Sequence, residues 1–453
     1  MTRKAVLWTA LAATIVTAPA LQSQTLDQTL SGCGGAAPTR TIQANPSTYK
    51  SLLSGLLPGD RLQLAAGTYT QGLNLWNKNG QANKCIVIEG PASGSPATFT
   101  GSNAWNIVSF SNSSYIAVRN LTLDGLNLPG NGVKAEAGST STHHILLERL
   151  NMKNFQDTVQ NVGINTKSPA WNWVVRYNTI TSTGTGMYFG GWQGQYEFAN
   201  SLIERNLIHG TLGYNIEIKH QLSRNTALGI PSTATTIIRH NVFSKAANSL
   251  SGAEARPNLL VGHWPLSGAG SSDIYQIYGN VFDENPYESL FQGEGNVALH
   301  DNLFVNRTGP AALRIQRHND YPRRIEIFHN TIVSNGTGIT IYNPNTAYQQ
   351  RVIGNVVFAG TPITGGAQTS NLTGTYAAAG TYLNNPTAPL GGGLDLYPKI
   401  GKVTGAAIDT SFLNALLDWD KDFDGLQRLT TFRGAYSGEG VNPGWTPVLG
   451  IKP

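Results

Sequence analysis

The chain has 453 residues, 40% of them apolar and 13% charged, with 51 glycines and a formal net charge of +5. This apolar content excludes a disordered chain, and low charge with abundant glycine points to a turn-rich all-β domain with a continuous core. The positive excess is modest and scattered, without Lys/Arg runs or aromatic–basic interleaving, so it favours an acidic partner and excludes nucleic acid.

In chain order, residues 1–24 read as a signal peptide. Arg3 and Lys4 supply the positive start, residues 5–18 form an uncharged apolar run, and Ala18, Pro19 and Ala20 offer a small-x-small cleavage site. Its removal takes two positive charges from +5 and leaves about +3. The run is too short for a membrane span, and no later stretch reaches eighteen apolar residues, so a secreted or periplasmic protein without a membrane span is expected. The two cysteines, Cys33 and Cys85, are then expected to form a disulfide, as suits an oxidising compartment.

Residues 25–105 read as an N-terminal cap and first coils. Positions 47–57 have the spacing of a short amphipathic helix, followed by a turn at Pro58, Gly59 and Asp60. A helix there would cover the open end of a solenoid.

Residues 106–365 carry a repeat: VVRYNTI at 174–180, LIERNLI at 202–208, IIRHNVF at 237–243, QIYGNVF at 276–282, ALHDNLF at 298–304, IEIFHNTI at 325–332 and RVIGNVV at 351–357. With two weaker copies, the recurring asparagines are Asn120, Asn151, Asn178, Asn206, Asn241, Asn280, Asn302, Asn330 and Asn355. Their spacing of 22 to 39 residues describes one structural unit with loops inserted into some copies. Each copy alternates apolar and polar residues over a few positions and is rich in Val, Ile, Phe and Thr, the pattern of a short strand. Such strands wind into a parallel β-helix whose coils touch only their neighbours. At ~4.8 Å per coil the nine asparagines span roughly 38 Å. They are expected to stack along one corner, tolerating a left-handed backbone there and passing amide hydrogen bonds up the rod.

Residues 366–453 read as a last coil and a capping segment, with a possible short helix at 411–418. Asp420, Asp422 and Asp424 imitate the opening of a calcium loop, but Thr431 stands where the closing Glu is needed, so a capping turn is expected.

Unusual polar residues gather on the second strand of each coil. If Ile216 and Ile218 face the core, Asn215, Glu217 and Lys219 face outward in line within ~14 Å. Neighbouring coils add Lys167 and Tyr188 on one side and His263, Trp264, Glu294, Arg314, Gln316, Arg317 and His318 on the other. An ordinary solvated face would not mix Trp, Tyr, His, Glu and Arg on successive rungs amid so much glycine, which lets a ligand approach the backbone. A groove over these strands is therefore expected, with Tyr188 and Trp264 as sugar platforms.

The leader, the PGD-containing cap, the Asn repeat and the DFDGLQR…RGAY ending resemble secreted right-handed parallel β-helix proteins of the pectate lyase-like class. Within that class EIKHQ at 217–221, followed by an Asn-repeat strand and LLVGHW at 259–264, is similar to the alginate lyase and chondroitinase B family. The resemblance implies an all-β, right-handed parallel β-helix with an N-terminal helical cap, acting as a monomer on an acidic polysaccharide. It implies Lys219 as the base and His263 beside it. Gly262 stands where that family has Arg, leaving Arg256 or Arg314 to take its place, and calcium is a possible cofactor, with Glu217 its one candidate ligand. β-Elimination from a uronic acid needs a base and positive charge against the enolate-like intermediate, which these residue types supply. A glycoside hydrolase using two of Glu217, Glu254 and Glu294, an epimerase, and a noncatalytic polysaccharide-binding protein are the alternatives.

Overall fold

The computed structural model describes residues 26, 29–34, 37–103 and 106–453. The expected signal peptide lies outside them. The chain winds into a right-handed parallel β-helix whose central coils each contribute one strand to each of three faces. In the central coils the first face is built from Ala170–Arg176, Leu202–Glu204, Thr235–Arg239 and Ile274–Tyr278. The second contains Thr179–Thr183, Leu207–His209, Val242–Ser244 and Val281–Asp283. The third contains Thr185–Phe189, Ile216–Ile218, Leu259–Val261 and Ser289–Gly293. Inward residues such as Ile180, Ile203, Ile208, Ile216, Ile218 and Phe243 are fully buried and form one continuous core.

The Asn ladder joins the first face to the second. Asn178, Asn206, Asn241, Asn280, Asn302, Asn330 and Asn355 each donate from Nδ2 to Oδ1 of the next rung at 2.9–3.0 Å. The last rung is Asn371, which the repeat pattern does not reveal because its coil is short.

Two of the expected asparagines are not rungs. Asn120 pairs in register with Arg149, and Asn151 with Thr179, so each falls one residue to either side of the corner. Leu150 holds the rung below Asn178, giving only its backbone N–H to Asn178 Oδ1. The left-handed conformation also belongs to the residue before the rung. Tyr177, Arg205, His240, Gly279, Asp301, His329 and Gly354 have φ between 50° and 64°. At Gly279 an added Cβ would lie 2.4 Å from the His240 ring, so only glycine fits.

Asn241 accepts both the backbone and the side-chain N–H of Asn206 and donates to the Ile203 carbonyl and to Asn280, all out of solvent. Asn241→Ala strands the Asn206 N–H and the Ile203 carbonyl in a dry corner. The expected loss of unfolding free energy is about 3 kcal/mol, read from urea denaturation; a loss within error would mean that the ladder decorates the corner without stabilising it.

At the N-terminal end the expected helix is a single turn, Tyr49–Leu52, followed by a 3-10 turn, Leu53–Gly55. Leu56 is already extended, so the helix stops short of 57. The turn still caps the core: Tyr49 is buried and meets the rings of Tyr69 and Phe99 edge-on at 5.1 and 5.6 Å. Cys33 and Cys85 are bonded.

The C-terminal segment does more than cap the far end. After the last coil it runs back along the rod, laying Phe423, Phe432, Ala435 and Tyr436 over the outward Leu207, Val242, Val281 and Leu303 of the second face. Arg428 ion-pairs with Asp301 and Lys452 donates to the Gly279 carbonyl, fixing the tail on the ladder corner. The region expected to be helical contains only the 3-10 turn Ser411–Leu413. Asp422 accepts the backbone N–H groups of Asp424, Leu426 and Ser437, which makes the Asp-rich stretch a capping turn. The tail covers the second face from Leu207 onward, and the expected site residues lie on the third.

Candidate functional site

Along the third face, strand register defines two outward rows. One contains Asn165, Tyr188, Glu217, Leu260, Gln292, Arg314 and Thr340. The other, two residues further along each strand, contains Lys167, Gly190, Lys219, Gly262, Glu294, Gln316 and Tyr342, each following in register from the backbone bonds. Ile216 and Ile218 point inward at zero exposure, which turns Glu217 and Lys219 outward as expected. Lys219 Nζ donates to Glu217 Oε1 at 2.9 Å, with both side chains largely buried.

Two lysines face one tyrosine. Lys167 Nζ stands 3.5 Å from the centre of the Tyr188 ring, and Lys219 Nζ stands 6.0 Å from it. Burial, opposed by Glu217 and assisted by Lys219, lowers the Lys167 pKa to about 8. Among the described residues no carboxylate lies within ion-pair distance of Lys167. Burial, then Glu217, pushes the Tyr188 phenol up, so it keeps its proton in neutral and alkaline solution. Tyr214, on the turn entering the strand of Glu217, is raised by the same two causes and lies under the Arg256 guanidinium at 5.8 Å.

Glycines flank Lys219 on its row. At Gly262 an added Cβ would lie 2.3 Å from the His220 backbone nitrogen, so no arginine can occupy that position. Arg256 instead donates to the Ala253 and Ala255 carbonyls and pairs with Glu254, while staying in reach of the Tyr214 ring. Arg314 lies three coils from Glu217, roughly 14 Å along the rod, and is paired with Glu288 at 2.6 Å. It does not meet the same sugar as Lys219.

Three other expected site residues prove structural. Asn215 is wholly buried and donates to Thr211 Oγ1, because the strand bends before Ile216 and turns position 215 into the corner. Trp264 is 2% exposed and stacks on Tyr275 at 4.2 Å inside the core, so it is no sugar platform. Glu294 is 1% exposed and accepts the backbone N–H groups of His318, Asn319 and Asp320, tying their loop down. Arg317 and His318 are exposed on that loop, where Arg317 stacks over Tyr321, and Gln316 is half-buried at its start.

His263 follows Gly262 on the coil next to Lys219, its Nδ1 bonded to the Trp264 carbonyl. Its ring centre is 5.2 Å from that of His220, whose pKa falls to about 4 through burial and the neighbouring His263 and Lys219. His220 is therefore neutral and adds no charge. Sequence reading passed over Trp192, 66% exposed on the loop that leaves the strand of Tyr188. The Gly190–Gly191 pair before it was the available signal, since it frees the chain to turn out of the strand there.

Together these features describe a polar patch on one face of a parallel β-helix, built from two lysines, a tyrosine and a glutamate. The fold is similar to that of GH136 lacto-N-biosidase from Eubacterium ramulus, with a TM-score of 0.51 at 13% identity over 74% of this chain and 68% of that one. An alginate lyase from Paenibacillus overlaps with a TM-score of 0.39 at 14% identity, covering 74% of this chain and 98% of that chain. A PL6 family alginate lyase gives 0.44 at 14% identity, covering 72% and 51%. No family model and no curated protein matches the sequence. At such identities the likeness is one of fold.

Proposed function

We propose that this protein is an exported polysaccharide lyase that cleaves a uronic-acid chain by β-elimination over Lys219 and Tyr188. The observation that carries this reading is the convergence of Lys167 and Lys219 on Tyr188, with the carboxylates of the groove already engaged. Lys167, half-buried and without a carboxylate partner among the described residues, receives the sugar carboxylate. That pairing withdraws charge from the neighbouring carbon and makes its proton removable. Lys219, placed by its bond to Glu217 at 2.9 Å, takes the proton beside the sugar carboxylate when in its amine form. The electron pair left behind forms a carbon–carbon double bond as the glycosidic carbon–oxygen bond breaks. Tyr188, still protonated, gives its proton to the departing oxygen.

Hydrolysis is less well served. It needs two carboxyl groups free to face one bond, whereas Glu217 is paired with Lys219, Glu254 with Arg256, and Glu294 with three backbone N–H groups. Calcium fits these residues poorly: among the described residues no group of three or more His, Cys, Asp or Glu side chains gathers that could hold a metal ion. Export is supported by the leader-like start and by the Cys33–Cys85 bond; among the described residues no helix is long and apolar enough to cross a membrane.

The test is incubation of purified protein with alginate, pectate, chondroitin and a neutral glycan, following the ultraviolet absorbance of the new double bond. Absorbance with a uronic-acid chain supports elimination; new reducing ends without it establish hydrolysis instead.

The Lys167 assignment predicts a pH dependence. Lys167 is charged below about pH 8 and neutral above it, so its grip on the substrate carboxylate weakens as pH rises through that value. KM is expected to climb above about pH 8, and Lys167→Arg, which stays protonated, is expected to abolish that rise. If instead kcat rises with pH near 8 and the rise vanishes in Lys167→Ala, then Lys167 is the base.

A further inference from the structure

The row that carries Lys219 continues well past it. From Lys219 it runs through Gly190, Lys167, Glu136 and Ser111 to Trp76, each residue facing its neighbour in strict register. Trp76 is 51% exposed although its strand neighbour Leu75 is buried in the core. Its indole is held in place: Nε1 donates to Ser109 Oγ at 2.8 Å, and Ser109 donates to Glu136 Oε1 at 2.7 Å. Glu136 is fixed in turn by Asn106 Nδ2 at 2.8 Å and Lys134 Nζ at 3.3 Å. An exposed aromatic ring oriented by a buried serine and a braced carboxylate presents a preset flat surface, the form of a sugar platform.

In the other direction the row is closed. Two coils beyond Lys219, past Gly262, Glu294 holds the backbone of residues 318–320 across it. The groove is thus long toward the N-terminal cap and short toward the C-terminal end.

Resting on the lyase reading, we propose that the six coils from Lys219 to Trp76 form a binding arm for an anionic chain, with Trp76 the stacking platform at its far end. The rise of one coil, ~4.8 Å, is close to the length of one sugar in an extended chain, so the arm holds about five sugars and Lys167 meets a carboxylate along it. On the closed side about two sugars fit between Lys219 and the loop held by Glu294. The enzyme therefore grips long chains by the arm and releases short unsaturated or short saturated ends from the closed side.

The experiment compares wild type, Trp76→Ala and Trp76→Phe on size-fractionated polymannuronate, polyguluronate, polygalacturonate and chondroitin, together with migration through gels containing each polymer. Trp76→Ala is expected to lower the ratio of kcat/KM on long chains to that on trisaccharides by roughly 3–10-fold and to lessen retention in the gel. Trp76→Phe, which keeps a ring, should hold most of both. Short products should dominate from the first turnovers. An unchanged ratio and unchanged retention in Trp76→Ala, with wild type active on long chains, overturns the arm and leaves the lyase reading standing. Equal losses on long and short chains overturn it too, because the effect then travels through the fold. Neither retention nor cleavage by wild type on any of the four polymers overturns the lyase reading and the arm with it.

Discussion

Lys219→Ala is expected to lower the rate of elimination by ~10²–10⁴-fold, the contribution of a placed proton acceptor. The side chain lies on the outward row, so the core is untouched, but Glu217 loses its ion-pair partner in a site where it is nearly buried. Some loss of stability is therefore expected from the single variant, and Glu217→Gln combined with Lys219→Ala should recover it without recovering activity. Lys219→Arg preserves the charge and the pair with Glu217, yet it should remain as inactive as the alanine variant because a guanidinium does not give up its proton. The measurements are initial rates of double-bond formation alongside urea denaturation of each variant. Full activity in a folded Lys219→Ala protein would remove Lys219 from the chemistry and transfer the role of base to Lys167.

Much of this architecture was legible in the sequence because a solenoid repeats its instructions. The Asn-centred phrase recurs on successive coils, and seven of the nine expected rungs lie in the ladder. The failures are instructive about register. Asn120 and Asn151 are each displaced by one residue, which in a corner with a fixed left-handed position moves a side chain from the ladder to the surface. A pattern of residue types does not distinguish the rung from its neighbour; the hydrogen bonds do.

The groove shows the same limit. Alternation about Ile216 and Ile218 correctly turned Glu217 and Lys219 outward, since strand periodicity is local. It failed for Asn215, on the corner that precedes the strand Ile216–Ile218, and for Trp264, three residues past the strand Leu259–Val261, where alternation no longer holds. Glu294 faces outward on its strand, but a loop 24 to 26 residues later folds over it, a contact invisible to local pattern. The arm to Trp76 was missed because the N-terminal coils looked like a cap, and only the strand register shows that one row runs from that cap to Lys219.

Tyr188→Phe is the variant that separates the two halves of the elimination. The phenol is held protonated by burial and by Glu217, and in the proposed reaction it supplies the proton that the departing oxygen needs. Phenylalanine keeps the ring over which Lys167 sits at 3.5 Å, so substrate binding and the local packing should persist, with KM changed little. The rate on ordinary polysaccharide should fall by ~10²–10⁴-fold. That fall should shrink for a substrate whose leaving group is a good one, such as a uronic-acid glycoside of a nitrophenol, because a stabilised phenolate departs without protonation. Lys219→Ala gains no such relief, since the proton beside the carboxylate must still be removed. Equal losses for Tyr188→Phe on both kinds of substrate would show that the hydroxyl positions the chain and is not the acid.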